Sequence, residues 1–268
     1  MVRKPPRLAL CAAALLMLAA ACSTRAESFE LERIERADVK VLPGADGFVN
    51  PLTGITNYTP QDWQKRPALA IKVGNSSAER PQAGLDRADL IYEEVVEGGV
   101  TRFMALFSTN QAPRVGPVRS VRTVDPELLQ PIGGLFGYSG GVPPIVSKLH
   151  RTPGVHDVGA NAASGAYHRD SKREQPYNLY TSTDELWGGR EKAGPPPEPL
   201  FTWLASDEDP TVGGDEVANE VKMSFAGNGA NLRYDFDKTT GKYIRFVNDA
   251  PHIVEGNGDG LQLSFRNV

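Results

Sequence analysis

The chain has 268 residues, with 33 acidic against 29 basic side chains and a formal net charge of −4. This balance argues against a nucleic-acid partner held by phosphate neutralisation. The only two cysteines, Cys11 and Cys22, lie at the N-terminus, so no disulfide framework is available and a hydrophobic core must supply the stability.

Arg3, Lys4 and Arg7 precede an apolar run from Leu8 to Ala21, which ends at Cys22 before the polar STRAES. This is the pattern of a secretory signal. The run is too short for the roughly 20 residues that a spanning helix needs. Leu18-Ala19-Ala20-Ala21-Cys22 resembles a bacterial lipobox, with Ala19 where Leu is usual. Cys22 is therefore expected to carry a lipid, anchoring the protein on the extracytoplasmic face of the cell membrane. An ordinary signal peptide and a cut elsewhere remain the alternatives. Removal of the signal, assigned to residues 1–22 with Cys22 as the retained, lipidated end, takes away three positive charges and no negative ones, leaving −7.

Residues 23–49 are charged and without period, as suits a tether, with room for a short helix around Leu31 to Arg36. Turn residues follow at Asn50-Pro51-Leu52-Thr53-Gly54, then a short apolar strand from Pro67 to Asn75. Leu90 to Phe107 reads as a hairpin turning at Gly98-Gly99. With those two glycines as the whole loop, Glu97 faces Val100, Val95 faces Arg102 and Glu93 faces Met104. Leu90, Tyr92, Glu94, Val96, Thr101, Phe103, Ala105 and Phe107 then share a core face. Glu93, Glu97 and Arg102 stand on the opposite face, Arg102 diagonally between the two carboxylates.

Gly116-Pro117 makes a turn and leaves Arg119 and Arg122 three residues apart. Asp125-Pro126-Glu127 opens a short helix through Leu129. Leu135 to Tyr138 reads as a buried strand. It runs into Ser139-Gly140-Gly141 and then a helix over IVSKLHR, and a glycine turn before a helix N-terminus presents free backbone N–H groups and suits an anion. From His150 to Tyr180 the chain loops, gathering Arg169, Lys172, Arg173 and Asn178. Residues 194–218 form a Pro-rich and acidic linker, and 219–268 form a small antiparallel sheet with turns at Thr240-Gly241 and Asn248-Asp249. Its last strand stops at Val268 without a turn, so an incomplete final domain is expected.

NPLTG at 50–54, RPALAIKVGN at 66–75, RPQAGLDRADLIYEEVVEGGVTRF at 80–103 and VGPVRSVRT at 115–123 resemble the YerB-like family of bacterial lipoproteins of unknown function. The resemblance runs from Asn50 onward. It implies an α+β main domain, residues 50–193, of layered sheets and helices, followed by the small β domain. Family members also show an aromatic residue, Arg and a Pro-aromatic-Asn ending where this chain has Arg169, Pro176 and Asn178. Tyr177 and Tyr138 stand where the family commonly has His, so a mechanism that moves protons through those histidines has no counterpart at these positions.

Four groupings could carry chemistry. Glu93, Glu97 and Arg102 with Arg119, Arg122, Arg169 and Arg173, beside Gly140, Gly141 and Asn178, could line a pocket for an anionic ligand or a wall polysaccharide, because guanidinium grips oxyanions bidentately. A structural ion-pair lattice is the rival reading. Glu93 and Glu97 as a glycosidase pair would stand roughly 13 Å apart at about 3.3 Å per residue, beyond the ~9.5 Å of an inverting pair. Gly137-Tyr138-Ser139-Gly140-Gly141 matches a nucleophile elbow, making Ser139, with Glu97, a weak catalytic candidate. His150, His156, Asp157, His168 and Asp170 match no metal-ligand spacing, so no metal and no cofactor is expected. The leading expectation is non-catalytic binding at the cell envelope, ahead of a hydrolase of envelope carbohydrate or acyl groups and of a protein-interaction scaffold.

Overall fold

The computed structural model describes residues 48–57, 62–201, 218–225, 230–256 and 260–268. The signal segment, Cys22, most of the tether and most of the acidic linker lie outside them. In chain order the strands are β1 (Phe48–Val49), β2 (Thr56–Asn57), β3 (Leu69–Gly74), β4 (Leu90–Val95) and β5 (Thr101–Phe107). The short helix α1 (Asp125–Leu129) precedes β6 (Gly134–Gly137), and α2 (Pro143–His150) precedes β7 (Val155–Asp157), β8 (Tyr167–Arg169), β9 (Leu179–Thr181) and α3 (Thr183–Trp187). The C-terminal part contributes β10 (Glu220–Ser224), β11 (Asn231–Asp237), β12 (Lys242–Val247), β13 (Ala250–Pro251), β14 (Ile253–Val254), β15 (Leu261–Gln262) and β16 (Ser264–Phe265). The fold is α+β, as expected, with a separate antiparallel region at the end.

The central sheet has the order β4-β5-β3-β6-β7 and is mixed: β5 runs antiparallel to both β4 and β3, and β3, β6 and β7 run parallel. Both of its faces are covered. Leu69, Ile71, Val73, Phe103, Ala105 and Phe107 pack on one side with Leu186 and Trp187 of α3. Ala70, Met104, Leu106 and Phe136 pack on the other with Leu129 of α1 and Leu149 of α2. A sheet buried on both faces reads as continuous apolar runs rather than clean alternation.

The hairpin departs from its predicted register. Glu94 pairs with Arg102, Glu93 with Phe103 and Tyr92 with Met104. Val96 N–H donates to Val100 O at 2.8 Å, so the loop is Glu97-Gly98-Gly99, with both glycines at φ +74°. A three-residue loop shifts the pairing by one position and turns one strand's side chains over relative to the other's. Leu90, Tyr92 and Glu94 therefore share a face with Arg102, Met104 and Leu106. Glu93 lies on the opposite face with Phe103.

The C-terminal strands form the antiparallel run β10-β11-β12-β13, with β16 also on β12, while β14 pairs with β15. The predicted single last strand is thus two short ones. The turn at Asn248-Asp249 has both residues at positive φ, 49° and 62°, as a tight hairpin turn demands. Its strands pair only with one another among the described residues, but the region shares a core with the central sheet, since Val254 and Leu263 pack in the cluster that holds Leu69 and Phe103.

Candidate functional site

Strands β3 and β6 run side by side from Leu69/Leu135 to Ile71/Gly137 and then part. The segment 117–121 enters the gap. Gly74 N–H donates to Pro117 O at 3.0 Å and Arg119 N–H to Lys72 O at 2.9 Å on the β3 side. On the β6 side Ser139 N–H donates to Arg119 O and Val121 N–H to Gly140 O, both at 2.9 Å. The inserted segment sits at the carboxyl ends of a parallel pair, along the last residues of β3 and beyond β6, the end at which open sheets with parallel strands form their crevices. It carries Arg119, Ser120 and Arg122 up to Arg102 of β5.

Three guanidiniums meet there. Arg102 is 7% exposed and its Nη1 donates to Ser120 O at 2.7 Å. No carboxylate pairs with it among the described residues. Burial, then the charges of Arg122 and Arg119, pull its pKa down to about 10. Arg119 Nε lies 2.8 Å from Glu79 Oε1, close enough for charge pairing although its N–H is not aimed at the oxygen. Its Nη1 donates to Pro176 O at 3.1 Å. Arg122 Nε donates to Glu97 Oε2 at 2.6 Å. The hydroxyls of Ser120 and Ser139 are 3.3 Å apart.

Beneath the arginines lies an ion cluster that the sequence did not disclose. Lys72 of β3, fully buried, pairs with Glu94 of β4 and, at 2.8 Å, with Asp125 of α1. Asp125 also accepts Arg122 N–H at 2.6 Å, fastening the inserted segment to the helix. One lysine serves two carboxylates, so burial first and Asp125 second push Glu94 up to about 7. Glu94 Oε2 is buried without a hydrogen-bond partner.

The turn after β6 binds differently from the expectation. Pro143 and Pro144 fill the first two positions of α2 and carry no N–H, and Ile145 N–H is used by Val142 O at 3.0 Å. The helix therefore offers no donor cradle in its first positions. What remains are the N–H groups of Gly140 and Gly141, which have no acceptor among the described residues. Gly141 is required by contact: a Cβ there would stand 2.5 Å from Val121 Cγ1. Ser139 is not at an elbow either. It has no positive φ, and the histidines are engaged elsewhere or apart from it: His150 with Asp157, His168 with Glu185, His252 with Gln82. No group of three or more metal-ligating side chains occurs among the described residues.

The remaining predicted site residues fall into two other places. Arg169 Nη1 donates to Asn178 Oδ1 at 2.7 Å, and Asn178 Nδ2 donates back to the carbonyls of Asp170 and Arg173. Arg173 reaches Pro81 O at 2.8 Å and Glu79 O at 3.2 Å. These three close a loop that abuts the site through Pro176 and Tyr177, the latter 5.3 Å beneath the Arg119 guanidinium. Glu93 lies on the other face of the sheet. It takes Arg245 Nη2 at 2.8 and 3.0 Å, Thr101 Oγ1 at 2.7 Å and Asn75 Nδ2 at 3.0 Å. Arg245 also donates to Tyr234 Oη and to His252 Nδ1, and His252 Nε2 then donates to Gln82 Oε1 at 2.9 Å. Burial, then Arg245, hold this imidazole neutral, at about 2. The ring closes because Gln82 Nε2 donates to Asn75 Oδ1 at 3.0 Å. It is a sealed joint between β12 and the central sheet.

A surface hollow of about 510 Å³ between Arg66, Arg87, Thr109 and Asp184 shares no residue with the arginine cluster. Its innermost cation is engaged, since Arg66 donates to Ser108 O at 2.8 Å and stacks 3.6 Å over the Trp187 ring. The uncompensated charge of Arg102 makes the cluster the stronger candidate.

The model for the N-terminal domain of a family of proteins of unknown function, DUF3048, matches residues 52–195. The chain belongs to this family. The match spans β3 through α3 and so contains all three arginines. A Bacillus subtilis (strain 168) protein described as a candidate lipoprotein, YerB, is 30% identical over 227 residues, covering 81% of this chain and 65% of the relative. This chain thus spans just under two thirds of that relative's length. The crystal structure of the YerB protein from Bacillus subtilis matches with a TM-score of 0.65 at 25% identity, over 81% of this chain and 72% of that one. No helix among the described residues is long and apolar enough to cross a membrane.

Proposed function

We propose that this DUF3048 protein is lipid-anchored through Cys22 on the extracytoplasmic face of the cell membrane. There it binds an anionic or polysaccharide ligand of the cell envelope at Arg102, Arg119 and Arg122, without catalysis. The observation that carries the reading is Arg102, a nine-tenths buried guanidinium with no carboxylate partner among the described residues. A buried charge without a counter-ion is costly, and an oxyanion docking beside it supplies that counter-ion. The relative's description as a candidate lipoprotein and the chain's own signal segment support the anchor.

Retention of the purified protein on isolated cell-wall material tests the reading. Wild type is expected to bind, and to be released as salt rises, because exposed charge interactions are screened. Arg119→Gln with Arg122→Gln is expected to abolish retention while far-UV circular dichroism stays unchanged. Retention that survives both the double substitution and high salt overturns the proposal.

A further inference from the structure

Arg102 and Arg122 share an acceptor. The Ser120 carbonyl takes Arg102 Nη1 at 2.7 Å and Arg122 Nη1 at 3.5 Å, so the two nitrogens stand no farther apart than those two bonds laid end to end. One oxyanion can touch both. Donors reach this place from three stretches of chain: the guanidinium of Arg102 from β5, Arg119, Ser120 and Arg122 from the inserted segment, and the Ser139 hydroxyl from the turn after β6. A carboxylate offers its lone pairs in one plane, whereas a phosphoryl group offers oxygens in three dimensions and suits donors that converge from several sides.

The counter-ions already present differ in one respect. Glu79, beside Arg119, is 5% exposed, and Asp125, on Lys72, is fully buried. Glu97, on Arg122, is 71% exposed. It stands at the hairpin tip beside Gly98 and Gly99, whose left-handed backbone gives the tip no side chain to pack. A Cβ built on Gly98 would meet nothing within 4 Å. Of the three carboxylates, Glu97 alone can leave its arginine without opening the core.

We propose that the cluster is a phosphoryl-binding site and that Glu97 is its internal competitor: a phosphate group docks across Arg102 and Arg122 and displaces the Glu97 carboxylate from Arg122. The proposal rests on the anion-binding reading above and narrows its ligand class. The phosphoryl group can belong to a free phosphate or to a phosphate-bearing envelope polymer, and both present the same oxygens.

Calorimetric titration of the full chain tests it, with inorganic phosphate, glycerol 3-phosphate, a poly(glycerol phosphate) chain and galacturonate as probes. Phosphoryl probes are expected to bind and galacturonate to bind at least tenfold more weakly. In Glu97→Gln the phosphoryl probes are expected to bind about 3- to 5-fold more tightly, the fold-change that releasing an exposed ion pair of up to ~1 kcal/mol gives. In Arg122→Gln, binding falls and a second change at Glu97 has no further effect. Tighter binding of the polymer than of inorganic phosphate assigns the source to the polymer, and the reverse assigns it to the free ion; either supports the site. Phosphoryl binding that Glu97→Gln leaves unchanged, or galacturonate bound as tightly as phosphate, overturns the inference while leaving an anion site in place. Failure of every probe with every variant overturns both readings.

Discussion

Replacing Glu94 by Gln should change the pH dependence of folding in a direction fixed by the buried cluster. Lys72 is fully buried and faces two carboxylates, Glu94 and Asp125, of which Glu94 is 8% exposed and Asp125 not at all. Glu94 is pushed from 4.5 to about 7, by burial and then by Asp125. Its folded pKa thus stands above its unfolded one, so between about pH 4.5 and 7 the native chain holds the proton more firmly than the unfolded chain does. Its contribution to stability is present below that window and lost as pH rises through it. At ~1.4 kcal/mol per pKa unit the loss amounts to at most about 3 kcal/mol above pH 7. His252 has the opposite sign. Its folded value of about 2 lies below the ordinary 6.5, so its contribution is present above pH 6.5 and lost as pH falls. Between about pH 4.5 and 6.5 the two slopes cancel in the wild type. Glu94→Gln keeps an oxygen for Lys72 and removes the charge. Urea unfolding from pH 4.5 to 8 should therefore show a variant more stable than wild type at pH 8, by up to ~3 kcal/mol, with the two converging near pH 4.5. Stability of the variant should rise with pH up to 6.5 while that of wild type stays flat. Parallel curves, or a variant less stable than wild type at pH 8, would refute the assignment of Glu94 as the surplus carboxyl.

Two further outcomes follow from other contacts. Arg245→Ala leaves Glu93 in the joint between β12 and the central sheet without its cation, and should cost ~3–5 kcal/mol in urea unfolding; replacing Arg245 and Glu93 together by Met should cost far less. Gly141→Ala places a methyl 2.5 Å from Val121 Cγ1 and should cost ~1–3 kcal/mol by overpacking, with weaker wall retention because Val121 anchors the segment between Arg119 and Arg122.

The sequence disclosed the elements more fully than their relations. The strand around Leu69–Gly74, the helix opening at Asp125-Pro126 and the strands β11 and β12 stand where turn residues and apolar runs put them. The hairpin was legible but its register was not, because Gly98-Gly99 fits both a two- and a three-residue loop, and a sheet packed on both faces does not betray a one-residue slip through misplaced polar side chains. The signal that could have decided it is Glu94. On the predicted register it spoils the apolar face alone. On the observed one it meets Arg102 and Lys72, each the single charge in an otherwise apolar strand, LAIKVG and TRFMALF. Arg245 in KYIRFV carried the same mark, but its partner Glu93 lies 152 residues away, and no spacing rule reaches that far. Cys22 and the tether up to residue 47 fall outside the described residues.

The slip also decides which of the predicted residues can act together. With Glu93 and Arg102 on one face, as first read, Glu93 would neutralise the arginine and the cluster would be an ion-pair lattice. On the observed register Glu93 is withdrawn to the opposite side, where Arg245 and His252 enclose it. The carboxylate left beside Arg102 is Glu94, which burial and then Asp125 push up to about 7. Arg102 thereby keeps its charge without an ion-pair partner among the described residues, while Arg122 keeps the exposed Glu97. The same one-residue shift that sealed the joint around Glu93 left Arg102 on the other face with no carboxylate in a salt bridge among the described residues, and that unpaired charge is what an external oxyanion would answer.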